Sequence, residues 1–469
     1  MNQYTIQGPA SVEGIGLHTG KIVSMSFLPA PPNHGIKFQR IDLEGQPVIS
    51  ADVGQVVSTN RGTTIQTGDA SVSTIEHTLS AIIGGGIDNI LIQINGPEAP
   101  IMDGSAAPIL EQLLQAGLEE QDAEREYFEV TSPIRYRDEE TGSELLALPA
   151  ADYQLTALID FQSPVLGHQY ASLEDFSNYA QDVAPCRTFV FLHELELLLD
   201  QNLIKGGDVD NAVVIVDRLL EPHDLQRLAE RLGKPDIRVE REGVLDLTTL
   251  RFGNEPARHK LLDMIGDLAL VGKPIKGRIM ATKPGHTANV EFARILRKQY
   301  LEQRKLKGLP VYDPSAEPIF DSTQIAGMLP HRYPFLLIDK ITELTDHYVV
   351  GIKNVTFNEQ FFQGHFPGNP VFPGVLQIEA MAQTGGILAL SMQENPEEWD
   401  TYFLKIDNAR FKRKVVPGDT LLFKLELQAP IRRGIVQMRG TAYVGNHIAS
   451  EADLTAQIVQ RKSEETTDK

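Results

Sequence analysis

A charged run with helical character, 294–307 (RILRKQYLEQRKLK), ends in Gly308-Leu309-Pro310 and Asp313-Pro314. Proline fixes φ and removes a backbone donor, so neither a helix nor a central strand passes through this stretch. The chain must therefore bury its apolar residues in at least two cores, one on each side of a linker at 305–318. Its 469 residues agree with that, since one core rarely organises more than about 250–300. A further boundary is expected near 123–127, giving 1–125 and 126–304 as two N-terminal subdomains and 319–469 as a C-terminal domain. Residues 462–469 are polar and expected to fray.

Charge and cysteine usage exclude several classes of function. A formal charge of -20 repels a polyanion and argues against a nucleic-acid partner. Cys186 is the only cysteine, so neither an internal disulfide nor a cysteine zinc ribbon can form, and a reducing cytoplasm is expected. No window reaches the roughly 18 uninterrupted apolar residues of a membrane helix. Residues 1–8 show neither the basic run nor the apolar stretch of a secretory signal. Any lipid handled here is met from the aqueous side.

In the first part, runs at 22–28, 90–94 and 153–159 are rich in β-branched and apolar residues and predict strands; 74–83 and 107–116 predict helices. Ser73 is the expected N-cap of the first helix, with Glu76 completing a capping box, and Gly84-Gly85-Gly86 ends it. Glu76-His77 and Arg258-His259 each open an apolar helix that ends in glycine and feeds a strand (90–94, then 275–280). Two similar α+β layers are expected from this repetition.

The stretch 258–267 (RHKLLDMIGD) carries chemistry. On a helix, His259 and Asp263 are i,i+4 neighbours, placing an imidazole and a carboxylate one turn apart on one face. Taken alone, such a pair more often makes a surface hydrogen bond or ion pair than it holds a metal. Zinc needs a third protein ligand, which His77 can supply, with Glu76 beside it as a carboxylate free to take a proton from water.

These segments resemble the UDP-3-O-(3-hydroxyacyl)-N-acetylglucosamine deacetylases of lipid A synthesis. The resemblance is carried by Glu13-Gly14-Ile15-Gly16-Leu17-His18-Thr19-Gly20, Ser73-Thr74-Ile75-Glu76-His77, Pro100-Ile101-Met102-Asp103-Gly104-Ser105, Arg187-Thr188-Phe189, the 258–267 stretch and Gly285-His286-Thr287-Ala288-Asn289, in family order over roughly 1–300. It implies a duplicated β-α-α-β sandwich. It also implies Zn2+ held by His77, His259 and Asp263, with Glu76 as general base. His286 is implied as the protonated group that stabilises the oxyanion and protonates the leaving amine, oriented and kept charged by Asp267. Thr188 offers a hydroxyl to the same oxyanion, and Phe189 and Lys260 contact the sugar and the nucleotide phosphates of a UDP-acyl-glucosamine. The apolar stretch 191–205 forms an acyl passage in that family, although its helical spacing suits core packing too. Cys186 has no assigned role. Iron competes with zinc at any two-histidine, one-carboxylate site. A metal-binding carbohydrate-recognition module without turnover is the rival reading.

After 323 the pattern changes. Pro330-His331-Arg332-Tyr333-Pro334-Phe335 leads to Gly364-His365-Phe366-Pro367-Gly368-Asn369-Pro370 and Val371-Phe372-Pro373-Gly374-Val375. Pro373 suits a helix start, and the helix from 374 to 390 is apolar nearly all round, which marks it as buried. Glu379 lies within it, and a buried carboxylate needs a partner or a task. By residues alone, Glu379 and His365 serve equally as structural groups. The region resembles the (3R)-hydroxyacyl-acyl-carrier-protein dehydratases over roughly 319–461, which implies a hot-dog fold, a sheet wrapped around one long helix. His365 is then the base at C2, and Glu379 the acid at the C3 hydroxyl, its pKa raised by burial. Gly374 offers its N–H to the thioester carbonyl. A glutamate at this position favours the dehydratase-only branch. The two groups come from different protomers in that fold, so a homo-oligomer (a dimer or a trimer of dimers) is implied. Lys405, Arg410, Lys412, Arg413 and Lys414 form a basic cluster, either a solvated face or a docking face for an acidic acyl carrier protein. A hot-dog thioesterase or a non-catalytic oligomerisation domain is the rival here. The expected whole is an α+β bifunctional enzyme, hydrolase then hydro-lyase.

Overall fold

A computed structural model describes residues 1–195, 205–206, 211–219, 223, 229, 242–245, 249–306 and 308–461. The chain divides into two compact units, Met1–Arg304 and Lys305–Lys469. The expected fraying of 462–469 lies outside the described residues.

The first unit contains two sheets that share a five-strand plan, the second extended by a short strand, Phe128–Glu129, paired with its central strand. One consists of β1 (Ala10–Ile15), β2 (Ile22–Pro29), β3 (Ile36–Arg40), β4 (Val48–Ser50) and β5 (Ile90–Ile94), in the order β1-β2-β5-β3-β4. The other consists of β6 (Ile134–Arg137), β7 (Glu144–Leu148), β8 (Tyr153–Asp160), β9 (His168–Leu173) and β10 (Ile275–Thr282), in the order β6-β7-β10-β8-β9. In each, the late strand inserts at the centre, antiparallel to one neighbour and parallel to the other. In each, a helix precedes that strand, α1 (Glu76–Gly84) and α3 (Glu255–Ala269), and another follows it, α2 (Ala107–Gln115) and α4 (His286–Leu306). Alternating burial along β2 and β10 turns one face of each sheet inward. One apolar core, from Ile6 to Tyr300, serves both sheets.

Helices α1 and α3 pack directly on each other. Gly266 makes this possible, because a Cβ there would overlap the Glu76 carbonyl oxygen. The expected capping box is absent: α1 begins at Glu76 with no side-chain cap. Ser73 is taken up by a bridge to Glu98 and by donating to the Pro97 carbonyl at 3.2 Å, while Thr74 turns the chain through φ 57°.

The second unit is an antiparallel sheet of β11 (Lys340–Leu344), β12 (Tyr348–Asn354), β13 (Trp399–Phe411), β14 (Thr420–Leu427), β15 (Ile435–Val444) and β16 (His447–Gln460), ordered β11-β12-β14-β15-β16-β13. A short helix, α5 (Ser322–Met328), enters through a complete capping box at Asp321 and Gln324. The 18-residue α6 (Gly374–Ser391) lies across one face against Ile341, Phe423, Leu425 and Met438. On β14 the alternate residue Leu422 points to the opposite face, where Leu309 and Tyr312 cover it together with Ile352 and Tyr443. The breakers at 308–314 thus stop α4, but the segment after them packs onto this sheet. No helix among the described residues is long and apolar enough to cross a membrane.

Candidate active sites

Three side chains from two helices meet in the first unit. His77 comes from the first turn of α1, and His259 and Asp263 from one face of α3. His77 Nε2 lies 3.7 Å and His259 Nε2 3.4 Å from Asp263 Oδ1. That oxygen is buried and has no hydrogen-bond partner, a costly state unless something else binds it. The three donor atoms lie within 4.8 Å of one another. His259 Nδ1 donates to the Cys186 carbonyl at 3.0 Å, which leaves its Nε2 with a lone pair facing the cluster. Burial and the neighbouring His259 push the His77 imidazole down to about 3, and burial also pushes His259 down. Burial would raise Asp263, but Lys260 and the histidines around it hold it well below the usual carboxylate range. Neutral imidazoles and an ionised carboxylate are the donor forms a divalent metal takes.

A second trio adjoins it. Glu76, Asp267 and His286 place their polar atoms within 4.8 Å of one another. Glu76 is buried, and desolvation pushes its carboxyl above the ordinary value against the pull of His286. His286 Nδ1 lies 3.0 Å from Asp267 Oδ2. Burial would lower this imidazole, but Asp267 and Asp263 together lift it to about 10, so it is cationic near neutrality. Asn289 donates to the same Asp267 oxygen at 2.9 Å.

Around this centre the expected residues are partly redistributed. Lys260 Nζ donates to Asp263 Oδ2 at 2.8 Å and lies 5.7 Å from the centre of the Phe189 ring. Thr188 is fixed through its backbone, its N–H to Gly104 and its carbonyl from Val213. Of the 191–205 passage, 196–204 lie outside the described residues; Phe191 packs with Val213 and Ile215 in a small apolar cluster beside Phe189. Sequence reasoning missed Glu255, which is fully buried at the start of α3. It accepts from Arg187 N and Nε at 3.0 and 2.9 Å and from Arg251 N at 2.7 Å. This pair ties the Arg-Thr-Phe segment to the helix that carries His259. An acidic residue in a first helical turn is the only signal the sequence offers for it.

In the second unit Glu379 lines a cavity of about 280 Å³ with His331, Gln383, Gly386, Tyr402 and Met438. Gln383 donates to Glu379 at 2.9 Å and accepts from Leu337 N at 2.8 Å, linking the 330–337 segment to α6. His331 Nε2 is 3.4 Å from the Glu379 carboxylate, and no role was expected of it. The expected upward shift of Glu379 is overturned. Desolvation does push it up, but the hydrogen bonds from His331 and Gln383 and the His331 charge outweigh that and hold the carboxyl below its ordinary value. His365 Nδ1 donates to the Val371 carbonyl at 2.8 Å, which leaves Nε2 as the basic atom. His365 is not among the residues that line the Glu379 cavity of the same chain. Gly374 opens α6 where a Cβ would come within 2.7 Å of the Phe411 ring. In the basic cluster, Lys405, Lys412 and Arg413 pair with Asp407, Glu451 and Asp419, at 2.6, 3.0 and 3.8 Å; Arg410 and Lys414 are exposed.

The family described as UDP-3-O-acyl N-acetylglycosamine deacetylase matches residues 3–232 and 234–298, and a FabA-like domain matches 329–453. A "Bifunctional enzyme LpxC/FabZ" of Bacteroides thetaiotaomicron is 51% identical, over 98% of this chain and 100% of its own length. One from Porphyromonas gingivalis is 49% identical, over 98% and 99%. The chain belongs to the bifunctional LpxC/FabZ enzymes. A UDP-3-O-acyl-N-acetylglucosamine deacetylase of Geobacter sp. is 39% identical over 63% of this chain and 89% of its own. As a member of that family, the chain joins a deacetylase of lipid A synthesis to a dehydratase of fatty acid synthesis.

Proposed function

We propose that the first unit, as a duplicated β-α-α-β sandwich, hydrolyses the acetamide of UDP-3-O-[(3R)-3-hydroxyacyl]-N-acetylglucosamine at a zinc site held by His77, His259 and Asp263. The observation that carries this is the buried, unpartnered Asp263 Oδ1 facing two neutral imidazoles. Zinc supplies a Lewis acid for the amide carbonyl and acidifies water. Glu76 receives the proton of the attacking water; its Oε2 is occupied by a backbone N–H, so Oε1 is the accepting atom. His286, cationic and held by Asp267 through Nδ1, presents Nε2 to the developing oxyanion and then protonates the leaving nitrogen. Thr188 adds a hydroxyl at the oxyanion, and Phe189 and Lys260 line the sugar and phosphate side. Metal analysis of the purified chain with Glu76→Ala tests this reading. The variant is expected to keep zinc and lose hydrolysis by a factor of about 100 or more; a metal-free active wild type, or iron in place of zinc, refutes the zinc assignment.

The second unit is read as a hot-dog dehydratase. His365 Nε2 takes the C2 proton of a (3R)-3-hydroxyacyl thioester, the C3–O bond breaks, and Glu379 protonates the departing hydroxyl to water, leaving the trans-2-enoyl thioester. The hydrogen bonds from His331 and Gln383 favour the ionised form of Glu379, so the proton it delivers is taken up from solvent as substrate desolvates the carboxylate. Gly374 at the start of α6 directs its N–H toward the thioester carbonyl. A partner copy supplies the second half of each site, in a dimer or a trimer of dimers, and Arg410 and Lys414 receive an acidic acyl carrier protein. A cytoplasmic location and the absence of a nucleic-acid partner fit both reactions.

A further inference from the structure

We propose that Thr63 is the positioning residue that fixes the general base and the general acid of the deacetylase relative to each other. The proposal rests on the roles given above to Glu76 and His286, and it assigns a task to a residue outside every motif discussed so far.

Thr63 is fully buried in the loop that leads into the strand Thr64–Thr67. Each of its polar groups meets a different part of the machinery. Its backbone N–H donates to Glu76 Oε2 at 2.9 Å. Its hydroxyl donates to Asp267 Oδ1 at 2.6 Å. Its carbonyl accepts from Ile75 N at 3.5 Å, the residue just before α1. Glu76 belongs to the first half of the unit and Asp267 to the second, and one residue holds a carboxylate of each.

The neighbours of Thr63 are arranged for the same end. Gly62 sits at φ 149°, and a Cβ there would come within 2.9 Å of Glu76 Oε1, the oxygen left to accept a proton. Thr59 Oγ1 lies 2.8 Å from Thr287 Oγ1, which anchors the start of the loop beside His286. Asp267 therefore has Oδ1 fixed by Thr63 and Oδ2 shared between His286 and Asn289. A carboxylate held at both oxygens cannot rotate, so the imidazole it orients cannot swing from the reacting nitrogen. The backbone N–H, meanwhile, selects which oxygen of Glu76 is free. Proton uptake and proton delivery are thereby set by one loop residue that touches neither substrate nor metal ligand.

The test uses the full chain with UDP-3-O-[(3R)-3-hydroxyacyl]-N-acetylglucosamine. Thr63→Val keeps the shape and the N–H but removes the hydroxyl. It is expected to lower kcat by about 10–100-fold, with KM, metal content and metal affinity by chelator competition close to wild type. Thr63→Ser should recover most of the loss. In an Asp267→Asn background Thr63→Val should cost little more, because the group it acts through is already altered. Unchanged kcat in Thr63→Val overturns the proposal, and so does a loss that adds in full to that of Asp267→Asn. If valine lowers the melting temperature and metal content, Thr63→Ala repeats the deletion without a misplaced methyl. Parallel losses in both, with no recovery by serine, assign Thr63 to packing and overturn the proposal. A wild-type chain that loads metal yet leaves the acetamide intact removes the deacetylase reading first, and that failure is seen before any variant is made.

Discussion

Asp263 holds its two oxygens in different surroundings: Oδ1 faces two imidazoles, and Oδ2 is bound by Lys260. A lysine on the second oxygen of a ligand keeps the carboxylate ionised and limits it to one donor atom. Lys260→Met is therefore expected to weaken metal affinity by about 10–100-fold in chelator competition. An unchanged affinity with a raised KM would show that Lys260 serves the substrate phosphates alone. His331 plays a comparable part for Glu379. The carboxyl lies below its ordinary value of 4.5 in the folded chain, so the stability it contributes is present above the unfolded pKa and lost as pH falls through the folded one. His331→Gln should raise that pKa, an upward move visible in a carboxyl titration by NMR. The stability gap between the two proteins should be open above pH 4.5 and close in acid. A titration that stays in place sinks the assignment of His331. These residues mark how far the sequence could be read. The His259/Asp263 pair was legible because a helix constrains its spacing, whereas the convergence of His77 on it was expected only from the family resemblance, His77 lying on a separate helix. Thr63 and Glu255 were not legible, since a hydroxyl or an acid that acts through contacts distant in sequence leaves no periodic trace. The direction of the Glu379 shift was misjudged for the same reason: burial is readable from an apolar helix, but His331 reaches it from a separate segment.

The pairing of α1 with α3 converts sequence motifs into a site. Two helices that each precede the central strand of a similar sheet bring Glu76 and His77 against His259 and Asp263, and Gly266 sets how near they come. Gly266→Ala places a methyl against a backbone carbonyl that cannot yield without moving α1. We expect a loss of about 1–3 kcal/mol in unfolding free energy, together with weakened metal binding, because the same displacement carries His77 away. A variant that melts like wild type and binds metal equally would show that the helices have slack. That each half carries a histidine-bearing helix feeding a strand was visible in outline from the sequence. The strand orders were not, because insertion of a late strand between two early ones depends on pairings far apart in sequence. The start of α1 was misplaced at Ser73 because local capping chemistry was overridden: the positive φ of Thr74 and the bridge from Ser73 to Glu98 turn the chain before the helix begins.

At the scale of the molecule, each unit has its own core: one apolar cluster runs from Ile6 to Tyr300 and another from Ile325 to Ile458. The second unit differs from the first in what it leaves uncovered. Strand β13 closes the sheet at one edge, pairs among the described residues with β16 alone, and exposes Tyr402, Leu404, Ile406 and Phe411. A long apolar edge is normally paired or covered. The cavity at Glu379 is lined by Thr401, Tyr402 and Phe403 of this same strand, while His365 is absent from its wall. An edge that needs a partner and a Glu379 cavity without the proposed base, His365, are explained together if a second copy docks along β13 and supplies that histidine. Charging the edge with Leu404→Asp and Ile406→Asp should then halve the mass seen by light scattering. Dehydration of a 3-hydroxyacyl thioester, followed by absorbance, should fall to about a hundredth or less, while deacetylation, whose proposed residues all lie in the first unit, keeps its rate. A monomeric variant that still dehydrates at the wild-type rate would show that one copy holds a complete site. A variant that loses both activities would show that the edge supports the whole chain and not the dehydratase alone.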